Sequence, residues 1–160
     1  MSGMGSELIG NLVMTFFVSM LPVVELRGAI PMGVASGLGF WESFAAAVAG
    51  NLVPVPFIII FIRTIFEWLR DKNQKFDRLI NKFENKAAEK KELIDKYEWF
   101  GLVLLVAIPL PGTGAWTGAL VAAMMDMRLK RAFPAIALGV CIAGFVVAYA
   151  TFGAKFLIFG

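Results

Sequence analysis

A glutamate and an arginine two residues apart, Glu25 and Arg27, stand inside the otherwise apolar stretch VVELRGAIPMG, residues 23–33. Side chains two residues apart point to opposite faces of a helix but share a face in an extended or unwound segment. Pro31 removes the hydrogen-bond partner of the Arg27 carbonyl, which favours unwinding. A charge at the centre of a bilayer costs roughly 2.5–3.5 kcal/mol, so both charges need counterparts. We therefore expect them to line a polar pocket within a membrane, with a structural ion pair as the alternative.

Composition indicates that the chain resides in a bilayer. Of its 160 residues, 59% are hydrophobic and 17% are charged, and the mean hydropathy is +0.76. A soluble domain is nearer half apolar and a quarter charged. Three uncharged stretches, 43–62, 99–125 and 132–154, are long enough to cross a hydrocarbon core, and a fourth, 8–24, is marginal. We predict a multi-pass protein of the plasma membrane.

The residue types present exclude several functions. The chain has no histidine and one cysteine, Cys141, which removes histidine-based triads, most zinc sites and a disulfide within the chain. The sequence contains no nucleophile–base set or metal-ligand cluster, so we predict neither an enzyme nor a cofactor. The net charge of +3 comes mostly from loops. It bears on membrane topology and does not indicate nucleic-acid binding.

A charged linker, residues 67–98, divides one membrane domain into two similar halves, residues 1–66 and 99–160. Apolar residues recur in the linker at intervals of three and four, which predicts an amphipathic helix that lies along the interface or bends at Asn81 or Asn85. Each half has an apolar arm, a break rich in proline and glycine, a short second arm and an uncharged span. An offset of 86 residues aligns Arg27 with Thr113.

The positions of the basic residues favour one topology. If all four apolar segments spanned the membrane, the basic linker and the basic segment 125–131 would lie on opposite sides, against the positive-inside rule. If each broken segment returns to its own side, every basic cluster lies inside. We therefore predict an all-α integral membrane protein with two inverted-topology repeats. Each repeat is a re-entrant helical hairpin followed by a transmembrane helix, with both termini outside and the linker cytoplasmic.

The broken segments are the predicted binding site. Broken backbone within a bilayer must face protein or a wet cavity, and repeated interrupted segments indicate a transporter's substrate site. We place a pathway for substrate or ion where the two hairpin tips meet, with Glu25, Arg27, Thr113, Trp116 and Thr117 lining it and Asn51 near it. The last three lining residues could instead let the helices approach closely, with the tryptophan filling space.

Two motifs, ELRGAIP at 25–31 and PLPGTGAWTGAL at 109–120, resemble the prokaryotic small multi-drug export protein family over nearly the whole chain. The sequence is similar, more distantly, to the DedA/VTT superfamily, whose members have two inverted re-entrant hairpins and move lipids. The resemblance implies these site residues: Glu25, Arg27, Gly28, Pro31, Pro109, Pro111, Gly112, Gly114 and Trp116. Thr113 stands where DedA proteins place arginine, so phosphate recognition would rest on Arg27 and, at the rim, on Arg128 or Arg131.

The predicted function is transport of a small amphipathic or anionic lipid-type substrate, coupled to a proton or sodium ion, with Glu25 as the proton site. Thr113 as an N-cap and an open backbone N–H at Gly114 would favour anionic groups. The alternatives are a small multidrug or cation exporter and a non-transporting assembly protein that binds partners through the linker. The predicted partners are the lipid bilayer, the substrate and the coupling ion, with a homodimer left open and no nucleic acid.

Overall fold

The structure is a computed structural model that describes residues 2–72, 74, 75, 77, 78, 81, 82, 91–110 and 112–160. These residues are mostly helical. The helices are α1 (Ser2–Ser19), α2 (Glu25–Ala35), α3 (Phe40–Leu52), α4 (Pro54–Lys72), α5 (Lys91–Ala107), α6 (Ala115–Met124) and α7 (Leu129–Phe159). In the linker, Asn81 is helical, whereas the other predicted bend, Asn85, lies outside the described residues. Pro111 of the second break also lies outside them.

Among the described residues, two helical segments are long and apolar enough to cross a membrane. They are Phe40–Lys72, formed by α3 and α4, and Leu129–Phe159, each with a mean hydropathy of 2.2. The first is interrupted at Val53, directly before Pro54, whose missing N–H removes the bond to the Gly50 carbonyl. By contrast, α2 has 11 residues and α6 has 10. At 1.5 Å per residue, neither can cross a core of about 30 Å.

Each half begins with two helices that run antiparallel. In the first half, Asn11 of α1 donates a hydrogen bond of 2.8 Å to the carbonyl of Ser36, just after α2. In the second half, Tyr97 of α5 and Met125, just after α6, line the same cavity. These contacts lie far from the breaks at 20–24 and 108–114, so each short helix runs back along the helix before it.

The same turn ends the short helix in both halves. It is a Schellman motif, in which two backbone N–H groups bond to carbonyls five and three residues earlier. The bonds are Leu38 N–H to Gly33 O (3.0 Å) and Gly37 N–H to Val34 O (3.1 Å) in the first half, and Met127 N–H to Ala122 O (2.9 Å) and Asp126 N–H to Ala123 O (3.1 Å) in the second. The residue with positive φ is Gly37 in one turn and Asp126 in the other, and these positions are 89 residues apart.

Burial repeats with the same spacing. The buried residues of α2 are Glu25, Leu26, Ala29, Ile30, Gly33 and Val34, and 89 positions later Gly114, Ala115, Gly118, Ala119, Ala122 and Ala123 are buried as well. The two halves therefore repeat one local structure. The expected offset of 86 residues is wrong by three, because it aligned Gly28 inside α2 with Gly114, which precedes α6. Arg27 corresponds to Trp116 and not to Thr113.

The two halves interlock around a shared core. The short helix α2 packs against α7, and α6 packs against α4, so each short helix contacts the long helix of the other half. The long helices run antiparallel, since the rings of Phe40 and Phe152 are 5.5 Å apart while Val48 faces Gly144. This arrangement brings the two breaks together at the centre of the molecule.

Candidate functional site

Glu25 places a buried carboxylate at the first turn of α6. It begins α2 with a φ of 46°, and only 5% of its surface is exposed. Its Oε1 accepts a hydrogen bond of 3.1 Å from the backbone N–H of Trp116. Gly114 has a φ of 141°, and a Cβ at this residue would collide with the Glu25 carboxylate. Glu25 therefore caps the N-terminus of α6, where the helix dipole favours negative charge.

Arg27 makes the complementary cap at the end of α5. Its guanidinium donates to the Leu110 carbonyl, to the Ile108 carbonyl at 3.3 Å and to Thr113 Oγ1 at 2.8 Å. The last carbonyls of a helix lack intrahelical partners, and a cation is favourable beside them. The Thr113 hydroxyl lies 2.7 Å from the Ile108 carbonyl oxygen. Arg27 and Thr113 thus donate hydrogen bonds to the backbone carbonyls that directly follow α5.

The two charged side chains do not pair with each other. In the described part of the chain, no hydrogen bond or ion pair joins Glu25 to Arg27, and each binds the second half instead. The expected unwound segment is also misplaced, because α2 remains helical through Pro31. The backbone is broken earlier, at residues 20–24. The structural ion pair that stood as the alternative is therefore not a direct contact here, and each side chain caps a helix of the opposite half.

Trp116 of the second half forms a hydrogen bond with the first half. Its indole Nε1–H donates a hydrogen bond of 3.1 Å to the carbonyl of Met20, which follows the end of α1. Trp116 occupies the position that corresponds to Arg27 in the other half. In each half, the first turn of the short helix therefore sends an N–H donor to the broken end of the opposite arm. We call Glu25, Arg27, Thr113, Gly114 and Trp116 the capping cluster.

Three predicted residues shape the second break. Thr113 is not the N-cap of α6, since that position is Gly114 and it has no side-chain cap bond. The Thr113 hydroxyl is directed instead to the carbonyls at the end of α5. Thr117 donates to the Gly112 carbonyl at 2.9 Å, and Pro109 is exposed within the break.

The other predicted residues lie outside the capping cluster. Gly28 packs against the side chain of Val24, and Pro31 is exposed on α2. Arg128 and Arg131 lie at the start of α7, and the 10 residues of α6 separate this turn from Gly114. That distance is about 15 Å along a helix. Their place at the rim of the pathway stays a prediction.

Sequence reasoning missed most of a group of buried polar residues in the first half. Thr15, Ser19, Ser43 and Asn51 are each at most 1% exposed, and only Asn51 was expected near the site. The available signal was the spacing of Asn11, Thr15 and Ser19, four residues apart along one face of α1.

The two halves are in direct contact at the capping cluster. Gly114 is buried against Glu25. The Arg27 guanidinium donates hydrogen bonds to oxygen atoms of the second break. A cavity of about 370 Å³ lies elsewhere, between α5 and α6, and Tyr97, Leu105 and Met125 are among its lining residues. The wet pocket expected between the hairpin tips stays a prediction.

The fold and this cluster define a helical membrane protein whose two similar halves meet at broken helix ends. The family model described as "Putative small multi-drug export protein" matches residues 25–146. The chain belongs to this family, as the resemblance in its motifs predicted. Comparisons with curated proteins and with solved structures gave no match, and the more distant similarity to the DedA/VTT superfamily is not shown.

Proposed function

We propose that the protein exports small amphipathic cations in exchange for protons, with Glu25 as the shared binding site. The observation that carries this proposal is that the two charged side chains have different kinds of hydrogen-bond partner. The Arg27 guanidinium is held by two carbonyls and by Thr113, so it is not available to a substrate anion. Glu25 is a buried carboxylate whose partner is a backbone N–H of α6. The family description supports export.

Competition for one carboxylate supplies the chemistry of exchange. The N-terminus of a helix offers about half an elementary charge to Glu25. A substrate cation would be a stronger partner if α6 moved away from the carboxylate. A proton would neutralise Glu25 and release the cation, because a neutral carboxyl no longer needs a charged partner in a buried site. Substrate and proton would then occupy the site in turn.

We infer that the two halves are inverted repeats whose hairpins enter the membrane and return. The antiparallel long helices and the repeated turns support this topology. Glu25 and Gly114, which are equivalent at a spacing of 89 residues, contact each other, as residues do at a two-fold axis. Inverted repeats related by an axis in the membrane plane commonly hold the substrate site between them. Both termini would lie outside, and the linker would lie in the cytoplasm.

A second candidate is transport of an anionic, lipid-type substrate. The observation that favours it is the position of the Glu25 carboxylate, since a helix N-terminus is a site that binds anions. A substrate anion would replace Glu25 at α6. Arg27 would then have to leave the end of α5 to contribute its charge, and that requirement makes this the second candidate.

Transport by the purified protein in liposomes tests both candidates. We expect a pH gradient to drive efflux of a lipophilic fluorescent cation, and we expect Glu25→Gln to abolish it. Glu42→Gln is the matched control, because Glu42 is exposed at the start of α3. Retained efflux in Glu25→Gln would contradict the proposal. Movement of an anionic fluorescent lipid that is lost in Arg27→Gln would favour the second candidate, and no transport of either probe would favour a non-transporting protein.

A further inference from the structure

Buried polar residues distinguish the first half from the second. The polar residues, each at most 1% exposed, are Thr15, Ser19, Ser43 and Asn51. The equivalents of Ser43 and Asn51, 89 positions later, are Ala132 and Val140, which are buried as well. These buried positions are therefore polar in the first half and apolar in the second.

Two of these polar side chains lack a protein partner. Thr15 donates to the Asn11 carbonyl at 2.8 Å, and Ser19 donates to the Ala47 carbonyl. The Ser43 hydroxyl and both ends of the Asn51 amide have no hydrogen-bond partner in the part of the chain that the structure describes. Burying an unpaired hydroxyl or amide costs about 1–3 kcal/mol. Bound water is the usual partner of such groups.

A glycine lets α2 pack closely against two of these hydroxyls. A Cβ at Gly33 would lie 2.8 Å from Thr15 Oγ1 and 3.1 Å from Ser43 Oγ. The absence of a side chain at Gly33 therefore lets the α2 backbone lie close to both hydroxyl oxygens. In the second half the corresponding residue is Ala122.

The polar residues of α1 form a row that leads to the break. Asn11, Thr15 and Ser19 are spaced one helical turn apart, and the row covers about 12 Å. At one end, Asn11 bonds to the Ser36 carbonyl at the open end of the hairpin. At the other end, Ser19 is followed by Met20, whose carbonyl binds Trp116 of the capping cluster.

We propose that this polar row is a hydrated path through the first half. Water molecules bound by Ser43, Asn51 and Thr15 connect the end of the hairpin at Ser36 with the capping cluster. Protons reach Glu25 through this path, and therefore from the Ser36 side of the membrane. The role of the path in proton delivery rests on the proposed function, whereas the presence of water in it does not.

Infrared measurement of S–H to S–D exchange in D₂O tests for the water directly. The probes are Ser43→Cys in the first half and Ala132→Cys at the equivalent position of the second, both with Cys141→Ala. We expect the thiol at position 43 to exchange at least about tenfold faster, because a thiol in a dry core exchanges only when the structure opens. Equal rates at the two positions would overturn the proposal.

Two further measurements keep the test decisive. Thr15→Cys in α1 and Val103→Cys, at a buried position of α5, form a second pair if the first does not fold, as judged by circular dichroism. Adding Asn51→Val, which introduces the residue present at position 140, should slow exchange at position 43 and reduce proton-driven efflux. Two results would overturn the water path. One is an exchange rate at position 43 that Asn51→Val leaves unchanged, and the other is exchange that occurs in a Na⁺ buffer but not in a choline buffer. A fast thiol combined with active Glu25→Gln would instead contradict only the proposed function.

Discussion

Replacing Gly114 by alanine should destabilise the protein by about 3–5 kcal/mol, from two separate costs. Gly114 has φ 141° and ψ −167°, a backbone conformation that is essentially restricted to glycine and costs about 1–3 kcal/mol for other residues. The new methyl group would also collide with the Glu25 carboxylate. That collision would break the bond to the Trp116 N–H, and hydrogen bonds to charged groups contribute about 1.5–3 kcal/mol.

Two controls separate the backbone cost from the contact with Glu25. Gly112 also has a positive φ, 82°, but a Cβ there would meet no described atom within 4 Å. Gly112→Ala should therefore cost only about 1–2 kcal/mol. In a Glu25→Ala background, Gly114→Ala should lose the part of its cost that comes from the carboxylate. The double-mutant cycle should then show a coupling of about 1.5–3 kcal/mol.

Reversible unfolding in mixed micelles of rising SDS content would measure these free energies. Tryptophan fluorescence reports on the site, because Trp116 belongs to the capping cluster, and circular dichroism reports on the helices. Equal destabilisation by Gly112→Ala and Gly114→Ala, with a coupling of zero in the cycle, would refute the reasoning. In that case the Glu25 carboxylate would not be seated on α6 in the membrane-embedded protein.

Three further predictions use the same contacts. Arg27→Lys should cost about 1–3 kcal/mol in the same unfolding assay, since an ammonium cannot reproduce the forked bonds of a guanidinium; wild-type stability would contradict this. Trp116→Phe should cost about 1 kcal/mol through loss of the bond to Met20, and Trp41→Phe, at an exposed position, should cost less. Sidedness reporters fused to both termini should place them outside, and cytoplasmic termini would contradict the hairpin topology.

The class of fold and the positions of the two breaks could be predicted from the sequence because both depend on local patterns. Hydropathy and charge identified a helical membrane protein, and the proline- and glycine-rich segments marked both breaks. The alignment of the two halves was wrong although the sequence contained a better guide. Leu21 and Pro22 precede Glu25 at the same spacing as Leu110 and Pro111 precede Gly114. The alignment of Gly28 with Gly114 was misleading because the two glycines have different roles. Gly28 packs closely against Val24 within α2, whereas Gly114 has a positive φ.

The partners of the charged residues could not be predicted, since they depend on how the halves interlock. Arg27 and Thr113 are 86 residues apart, and no local pattern specifies which backbone groups an arginine will meet at that separation. Pro31 shows a second limit. It was expected to unwind the segment around Arg27, but α2 continues through it with the proline on an exposed face. The break forms at Met20, where Trp116 of the other half supplies a partner.

The asymmetry of the capping cluster follows from the contact between equivalent positions. Glu25 and Gly114 touch, so a glutamate at both positions would bring two carboxylates together, and like charges at close range disfavour ionisation. The glycine of the second half therefore provides the space that the glutamate of the first half occupies. The hydrogen bonds of Glu25, Arg27 and Trp116 all run from one half to the other. Any motion that separates the halves at this point must break them together, which favours two discrete arrangements over a gradual opening.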